Sequence, residues 1–209
     1  MKQIDPYLTV VNKNHNFDQS MITPFKMVPV KDEDGPTYME EQTHKALGEL
    51  YEYMLETYGI KISLTSAGRT IERQQQVMDE MIALKGEKAK ETTALPGQSE
   101  HHLGTALDVI PTSTKSKVVY NALKPFSKKA AQKAIAPIKD DLYTKLHSSL
   151  EQFGFILRYS KDKQEITGYP AERWHIRYVG KQHAKAMNQG NLCLEEYNEL
   201  LKQNQASYE

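Results

Sequence analysis

The sequence predicts a single α+β domain, and three observations carry that prediction. Helical spacing and strand alternation succeed one another along the chain. Leu47, Leu50, Tyr51, Met54, Leu55 and Tyr58 recur at helical spacing, and Ile60, Ile62 and Leu64 then alternate. Glycine stands where the helical runs end, at Gly59, Gly86 and Gly154. Two short strand-like runs, Phe155–Tyr159 and Trp174–Val179, flank a polar connection containing Gly168, which suits a hairpin. A chain of 209 residues is one domain, or one domain with a sizeable insertion. It can bury roughly 70% of its unfolded surface and needs no covalent staples.

In chain order, residues 1–37 have little periodicity and contain Pro6, Pro24, Pro29 and Pro36, so they read as an irregular arm wrapping the domain. A helix is expected over 38–58 and a strand from Ile60 to Ser66. Thr70 can cap a second helix carrying Val77, Met78, Met81 and Ile82. Residues 87–98 form a polar loop. Gly104 permits a turn into the strand Thr105–Ile110. Residues 111–137 hold Lys115, Lys117, Lys124, Lys128, Lys129 and Lys133, and read as a basic, solvated insertion placed to act as a lid. Asp140–Phe153 is helical, with Leu142, Leu146, Leu150 and Phe153 on one face. In the strand Trp174–Val179, alternation sends Trp174, Ile176 and Tyr178 to one side and His175 and Arg177 to the other. Two short helices, 182–188 and 194–202, close the chain.

The chemistry concentrates in Ser99-Glu100-His101-His102-Leu103-Gly104-Thr105-Ala106-Leu107-Asp108 and, far downstream, Glu172-Arg173-Trp174-His175. Zinc accepts imidazole nitrogen and carboxylate oxygen, and a hydrolytic site keeps three protein ligands and one open position. His101, Asp108 and His175 meet that count, with one ion per chain. A carboxylate outside the ligand set must then move the proton of the attacking water. Glu172, three positions before His175, is the candidate. His101 and His102 are neighbours that point apart in extended chain, so at most one reaches the metal. The ordinary alternatives are a solvent-exposed His-His pair and an Asp paired with a nearby Arg. The commoner zinc signature H-E-x-x-H is absent. Arg69, at a strand-to-helix junction, is either an oxyanion-stabilising guanidinium or an ordinary ion-pair partner. Trp174 reads as a core residue with an edge toward the site.

Together these stretches resemble the zinc D-alanyl-D-alanine peptidase family. Residues 99–108 match its S-x-H-x-x-G-x-A-x-D motif and residues 172–175 its E-x-W-H motif. The family includes vancomycin-resistance D,D-dipeptidases and D,D-carboxypeptidases, L,D-carboxypeptidases and some phage endolysins. The resemblance runs from about Val11 to the C-terminal helix. It implies a small, mostly antiparallel sheet with helices packed mainly on one face, the fold shared with the hedgehog signalling domain. It also implies that Arg69 is the catalytic arginine, that Gln74 contacts substrate, and that Ser99 helps hold the substrate's terminal carboxylate. Where the family has S-G-Y-R, this chain has Ser66-Ala67-Gly68-Arg69 and lacks the aromatic ring.

Bulk properties narrow the partners. Lys and Arg total 27 and Asp and Glu total 27, for a net charge of zero, so nothing points to nucleic acid or an anionic membrane. No run approaches the roughly 20 apolar residues of a membrane span. The lone Cys193 forbids an internal disulfide. As written the chain reads as cytoplasmic, or as extracytoplasmic if a leader precedes it. The expected substrate is a D-Ala-terminated peptide or peptidoglycan stem peptide, and the expected reaction is hydrolysis of D-Ala-D-Ala or removal of a terminal D-Ala. The rivals are an L,D-peptidase with the same chemistry and a noncatalytic binding module that keeps the zinc. Oligomeric state is not legible.

Overall fold

The computed structural model describes residues 5–113 and 140–206. The basic insertion expected over 111–137 lies outside these residues, apart from 111–113, which finish a strand. The elements run β1 (Met27–Asp32), β2 (Gly35–Glu40), α1 (Glu41–Tyr58), β3 (Ile60–Ser66), α2 (Ile71–Lys85), α3 (Ala89–Thr92), β4 (Ala106–Ser113), α4 (Asp140–Leu150), β5 (Phe155–Tyr159), α5 (Gln164–Thr167), β6 (Glu172–Tyr178), α6 (Lys181–Gly190) and α7 (Leu194–Ala206). Strands β3, β4, β6 and β5 form one antiparallel sheet in that order. The fold is α+β, as expected.

The main helices begin and end where local chemistry directs. Glu40 caps α1 by accepting from the backbone N–H groups of Gln42 and Thr43. Gly59 stops it in the left-handed region, φ 62°, returning its N–H to Leu55. Thr70 caps α2 through the N–H of Arg73. The polar loop expected over 87–98 contains the single-turn helix α3, whose Ala89 packs against Met78 and Met81 of α2.

One face of the sheet is the main core. Ile60, Ile62, Leu107, Val109, Phe155 and Ile176 meet Leu50 and Met54 of α1 and Tyr143, Leu146 and Leu150 of α4. Fully burying a side chain of this size contributes about 1.5–3 kcal/mol. Trp174 and Tyr178 pack against the same core, as alternation requires. On the opposite face, α6 and α7 form a smaller cluster with Leu8, Val179 and Ile156 at the β5 end. The rest of that face lines the cleft.

The N-terminal arm corrects one expectation. Residues 27–37, read from sequence as irregular, and 38–40, read as the start of the first helix, form the β1–β2 hairpin around the turn at Glu33 and Asp34. Prolines 29 and 36 suggested irregularity because they cannot donate to a ladder. Here Pro29 stands opposite Tyr38 and Pro36 opposite Lys31. Tyr38 turns its carbonyl outward to the N–H of Gly68, so its pairing with Pro29 needs no proline donor. The hairpin docks on the loops that carry the site. Glu40 N–H donates to Gly104 O at 2.9 Å, Gly68 N–H to Tyr38 O at 2.9 Å, and the Tyr38 hydroxyl to Arg69 O at 2.8 Å.

Candidate metal centre and catalytic cleft

Asp108 on β4 and His175 on β6 are direct partners in the antiparallel ladder. Paired residues point to the same side of a sheet, so both project from the face opposite the main core. His101 arrives from a different direction, on the 3₁₀ turn Glu100–Leu103. Ser99 caps that turn by accepting from the His101 N–H, and Gly104 ends it at φ 70°. A Cβ at Gly104 would lie 3.2 Å from the Glu40 backbone nitrogen, so glycine serves both the turn and the hairpin contact.

The three side chains converge. Asp108 Oδ1 lies 3.1 Å from His175 Nδ1 and 3.4 Å from His101 Nε2. One ligand atom from each falls within 4.8 Å of the others, the arrangement of residues that could hold a metal ion. Bonds of about 2.0–2.1 Å in a tetrahedral site imply ligand–ligand edges of about 3.3 Å. Two of the three edges already have that length, so the residues fit the group.

Each imidazole is oriented from behind. His101 Nδ1 lies 2.6 Å from Ala67 O, a geometry in which Nδ1–H donates and Nε2 keeps its lone pair toward Asp108. His175 presents Nδ1 to Asp108 and directs Nε2 at Glu100 Oε2, 3.7 Å away. His102 faces elsewhere. Its Nδ1–H donates to Arg69 O at 2.7 Å and its Nε2 accepts from the Gly97 N–H at 3.1 Å, so it fixes the loop.

The electrostatics of the cluster follow from its burial and its charged neighbours. Burial and the Arg69 guanidinium push His101 down to about 4, keeping it neutral. Burial opposes a charge on His175, but its hydrogen bond with Asp108 and the Glu100 carboxylate close by prevail and lift it to about 9. Burial likewise opposes ionised Asp108, and the imidazoles of His101 and His175 overrule it, holding the carboxyl well below its usual range.

Glu172 begins β6, with its Oε2 3.8 Å from His175 Nδ1 and its side chain 23% exposed. Strict alternation would send residues three apart to opposite faces. A register shift against β5 between Leu157 and Tyr159 breaks that alternation and leaves both on the cleft side. Arg69 reaches in from the β3–α2 junction. Its Nη2 lies 3.0 Å from Asp108 Oδ2 and 3.1 Å from His101 Nε2, while Nε donates to Ser66 Oγ at 2.9 Å and Nη1 to Gln74 Oε1 at 3.1 Å.

Gln74 is 1% exposed and its amide is engaged at both ends, since Nε2 donates to Ala94 O at 2.7 Å. It lines the cleft, but its hydrogen bonds go to Arg69 and to the loop. Ser99 and Trp174 also line the cleft, Trp174 with its other side on the main core. The cleft has a volume of about 990 Å³ and runs from Glu172 and His175 past α2 to Lys31 and Asp34 on the hairpin.

Sequence reasoning missed a buried charged cluster beside His101 and His175. Glu100 takes the Arg158 Nε at 2.8 Å and faces Arg177 Nη1 at 3.2 Å, and all three are buried. Arg158 also makes a paired contact with Glu195 of α7, at 2.6 and 2.9 Å. The available signal was two arginines inside strand-like runs, since guanidinium groups in an interior require an acid. Tyr38 was missed as well. Its ring occupies the space a Cβ at Gly68 would need, 2.5 Å from that position.

The sequence matches the profile of the VanY family, D-alanyl-D-alanine carboxypeptidase, over residues 36–181. It is 32% identical over 200 residues to VanXYC of Enterococcus gallinarum, a bifunctional D-Ala-D-Ala dipeptidase and D-Ala-D-Ala carboxypeptidase, covering 94% of this chain and 95% of that protein. Among solved structures, the fold is similar to a Zn(II) complex of a variant of the vancomycin-resistance D,D-pentapeptidase VanY from a VanB-type cassette. That match has a TM-score of 0.71 at 28% identity and covers 92% of this chain and 99% of the other. It is equally similar to VanYB in complex with D-alanine-D-alanine, with a TM-score of 0.71 at 29% identity, covering 93% and 98%. Among the described residues, no helix is long and apolar enough to cross a membrane.

Proposed function

The chain belongs to the D-alanyl-D-alanine carboxypeptidase family, and from that premise we propose a mononuclear zinc D,D-peptidase that removes the terminal D-Ala from peptidoglycan precursor or stem peptides and also cleaves D-Ala-D-Ala. One observation carries the site assignment: the Asp108–His175 ladder pair with His101 at tetrahedral spacing from Asp108. Those three residues hold one zinc ion per chain. When bound, zinc supplies Lewis acidity, which polarises the scissile carbonyl and acidifies water.

The remaining roles fall to side chains around it. Glu172 accepts the proton of the attacking water and delivers it to the departing amine. Arg69 places a fixed positive charge where the carbonyl oxygen gains negative charge, and such preorganised donors act strongly in a water-poor cleft. Gln74 holds Arg69 in that direction. Ser99 binds the substrate's terminal carboxylate, and the Trp174 edge forms one wall. Glu172 also argues against a noncatalytic binding module, which has no use for a carboxylate beside its metal.

The cleft supports the carboxypeptidase side of the activity. About 990 Å³ is at the top of the range that encloses a drug-sized ligand, far more than a two-residue peptide fills. Both ends of the cleft carry charged groups, which suits a longer stem peptide.

Release of free D-alanine from dipeptide, tetrapeptide and pentapeptide tests the reading. Turnover of pentapeptide and dipeptide with little on tetrapeptide is expected. Activity confined to the tetrapeptide would instead identify an L,D-carboxypeptidase. Native mass spectrometry of the zinc-loaded protein should show one ion per chain.

A further inference from the structure

Glu100 is 1% exposed and sits one residue before His101 on the 3₁₀ turn. Its two oxygens have different surroundings. Oε1 faces Arg158 and Arg177 at 2.8 and 3.2 Å. Oε2 makes no hydrogen bond among the described residues, and neither does His175 Nε2, yet the two buried atoms lie 3.7 Å apart. An acceptor and a donor thus face each other a few tenths of an ångström beyond bonding distance, in an interior where each needs a partner.

We infer that Glu100 is the positioning residue of the His175 imidazole, accepting its Nε2–H and so reserving the Nδ1 lone pair for the ion beside Asp108. A ligating histidine usually gives its second N–H to such an outer group, which fixes the tautomer and ring orientation. The two arginines keep Glu100 ionised. Glu195 holds Arg158 from α7, and Arg177 is anchored by donating Nη2 to Tyr7 O and Thr9 O at 3.1 and 2.9 Å. The carboxylate therefore cannot turn away from His175. A group serving only to neutralise two arginines would not need its second oxygen aimed at the ligand.

This role rests on the zinc reading of His101, Asp108 and His175, and zinc(II) binding, read by chelator competition, separates the two. The wild-type chain should bind zinc, and failure to do so overturns both assignments. Glu100→Gln keeps the shape but must turn either an amide N–H toward His175 or its oxygen away from the arginines. It should bind zinc about 10–100-fold more weakly. Glu195→Gln loosens Arg158 from the far side without touching His175, and should lower thermal stability while leaving zinc affinity unchanged.

Wild-type affinity in Glu100→Gln overturns the role, and so does equal weakening in both variants, which would make the cluster structural only. Should Glu100→Gln fail to fold, ¹⁵N-resolved spectra of the zinc-loaded wild-type protein decide. A slowly exchanging His175 Nε2–H proton, shifted downfield by a carboxylate partner, supports the role. A rapidly exchanging one overturns it.

Discussion

Asp108 and His175 are opposed across the β4–β6 ladder, and their side chains meet at 3.1 Å. The backbone therefore sets the spacing of two of the three proposed zinc ligands. A one-residue slip in that register would send one of them to the core face. Only His101 depends on a loop, and that loop is held by the His101 Nδ1–Ala67 O bond and by the hairpin on Gly104.

Glu172 stands beside this pair without belonging to it, so binding and turnover should separate. Glu172→Gln is expected to keep zinc affinity near the wild-type level and to lower kcat about 10²–10⁴-fold, the usual contribution of a general base. Metal content and D-alanine release measured on one preparation check both halves. Undiminished kcat would remove Glu172 from the mechanism.

Arg69 touches Asp108, His101, Ser66 and Gln74 at once. Arg69→Ala should lower kcat about 10²–10³-fold with a much smaller change in KM, because the guanidinium acts on charge that develops only in the transition state. Arg69→Lys should recover little, since an ammonium cannot span those four partners. Steady-state kinetics on the pentapeptide would show the split. A loss confined to KM would make Arg69 a ground-state contact.

The metal-free protein should be most stable near pH 6.5, the ordinary histidine value from which two buried ligands depart in opposite directions. His175 is lifted to about 9 in the folded chain, so its contribution is complete below 6.5 and disappears as pH rises toward 9. His101 is held down to about 4, so stability is lost as pH falls from 6.5 toward 4, where the unfolded chain binds a proton that the folded chain refuses. Each limb is on the order of 1–3 kcal/mol. Thermal melts of chelated protein from pH 4 to 9 trace the curve. Saturating zinc should flatten the alkaline limb, since the ion replaces the proton on His175. A monotonic curve without zinc would contradict the assignment.

Gly68 has a Tyr38 neighbour where a side chain would go, with the ring and the backbone carbonyl both 2.5 Å from a built Cβ. Gly68→Ala must displace the hairpin or the Arg69 loop, at about 1–3 kcal/mol. Denaturant midpoints measure the stability loss. A parallel fall in kcat/KM, with zinc affinity kept, is expected because the Arg69 carbonyl is tied to the same tyrosine. A neutral substitution would show that this contact is loose.

Much of this was legible beforehand, for identifiable reasons. Helices α1, α2 and α4 announce themselves because apolar spacing and glycine stops agree. The convergence of His101, Asp108 and His175 is legible because metal chemistry restricts both residue type and spacing. The hairpin at 27–40 was hidden by prolines, whose fitness for a strand depends on which neighbour they oppose. Glu100 was hidden differently. A glutamate in a polar loop reads as solvated, and only the sheet brings Arg158 and Arg177, 58 and 77 positions downstream, around it. Gln74 reads as a substrate contact by resemblance, whereas its amide hydrogen bonds go to Arg69 and Ala94.

Arg177 binds the carbonyls of Tyr7 and Thr9 from the strand that also carries His175. The start of the described chain is thereby sutured to the back of the catalytic wall. Trimming a shortened version past these residues would strip acceptors from a guanidinium sealed in the interior. A fusion partner or affinity handle is better appended ahead of residue 5 than exchanged for the segment that follows it.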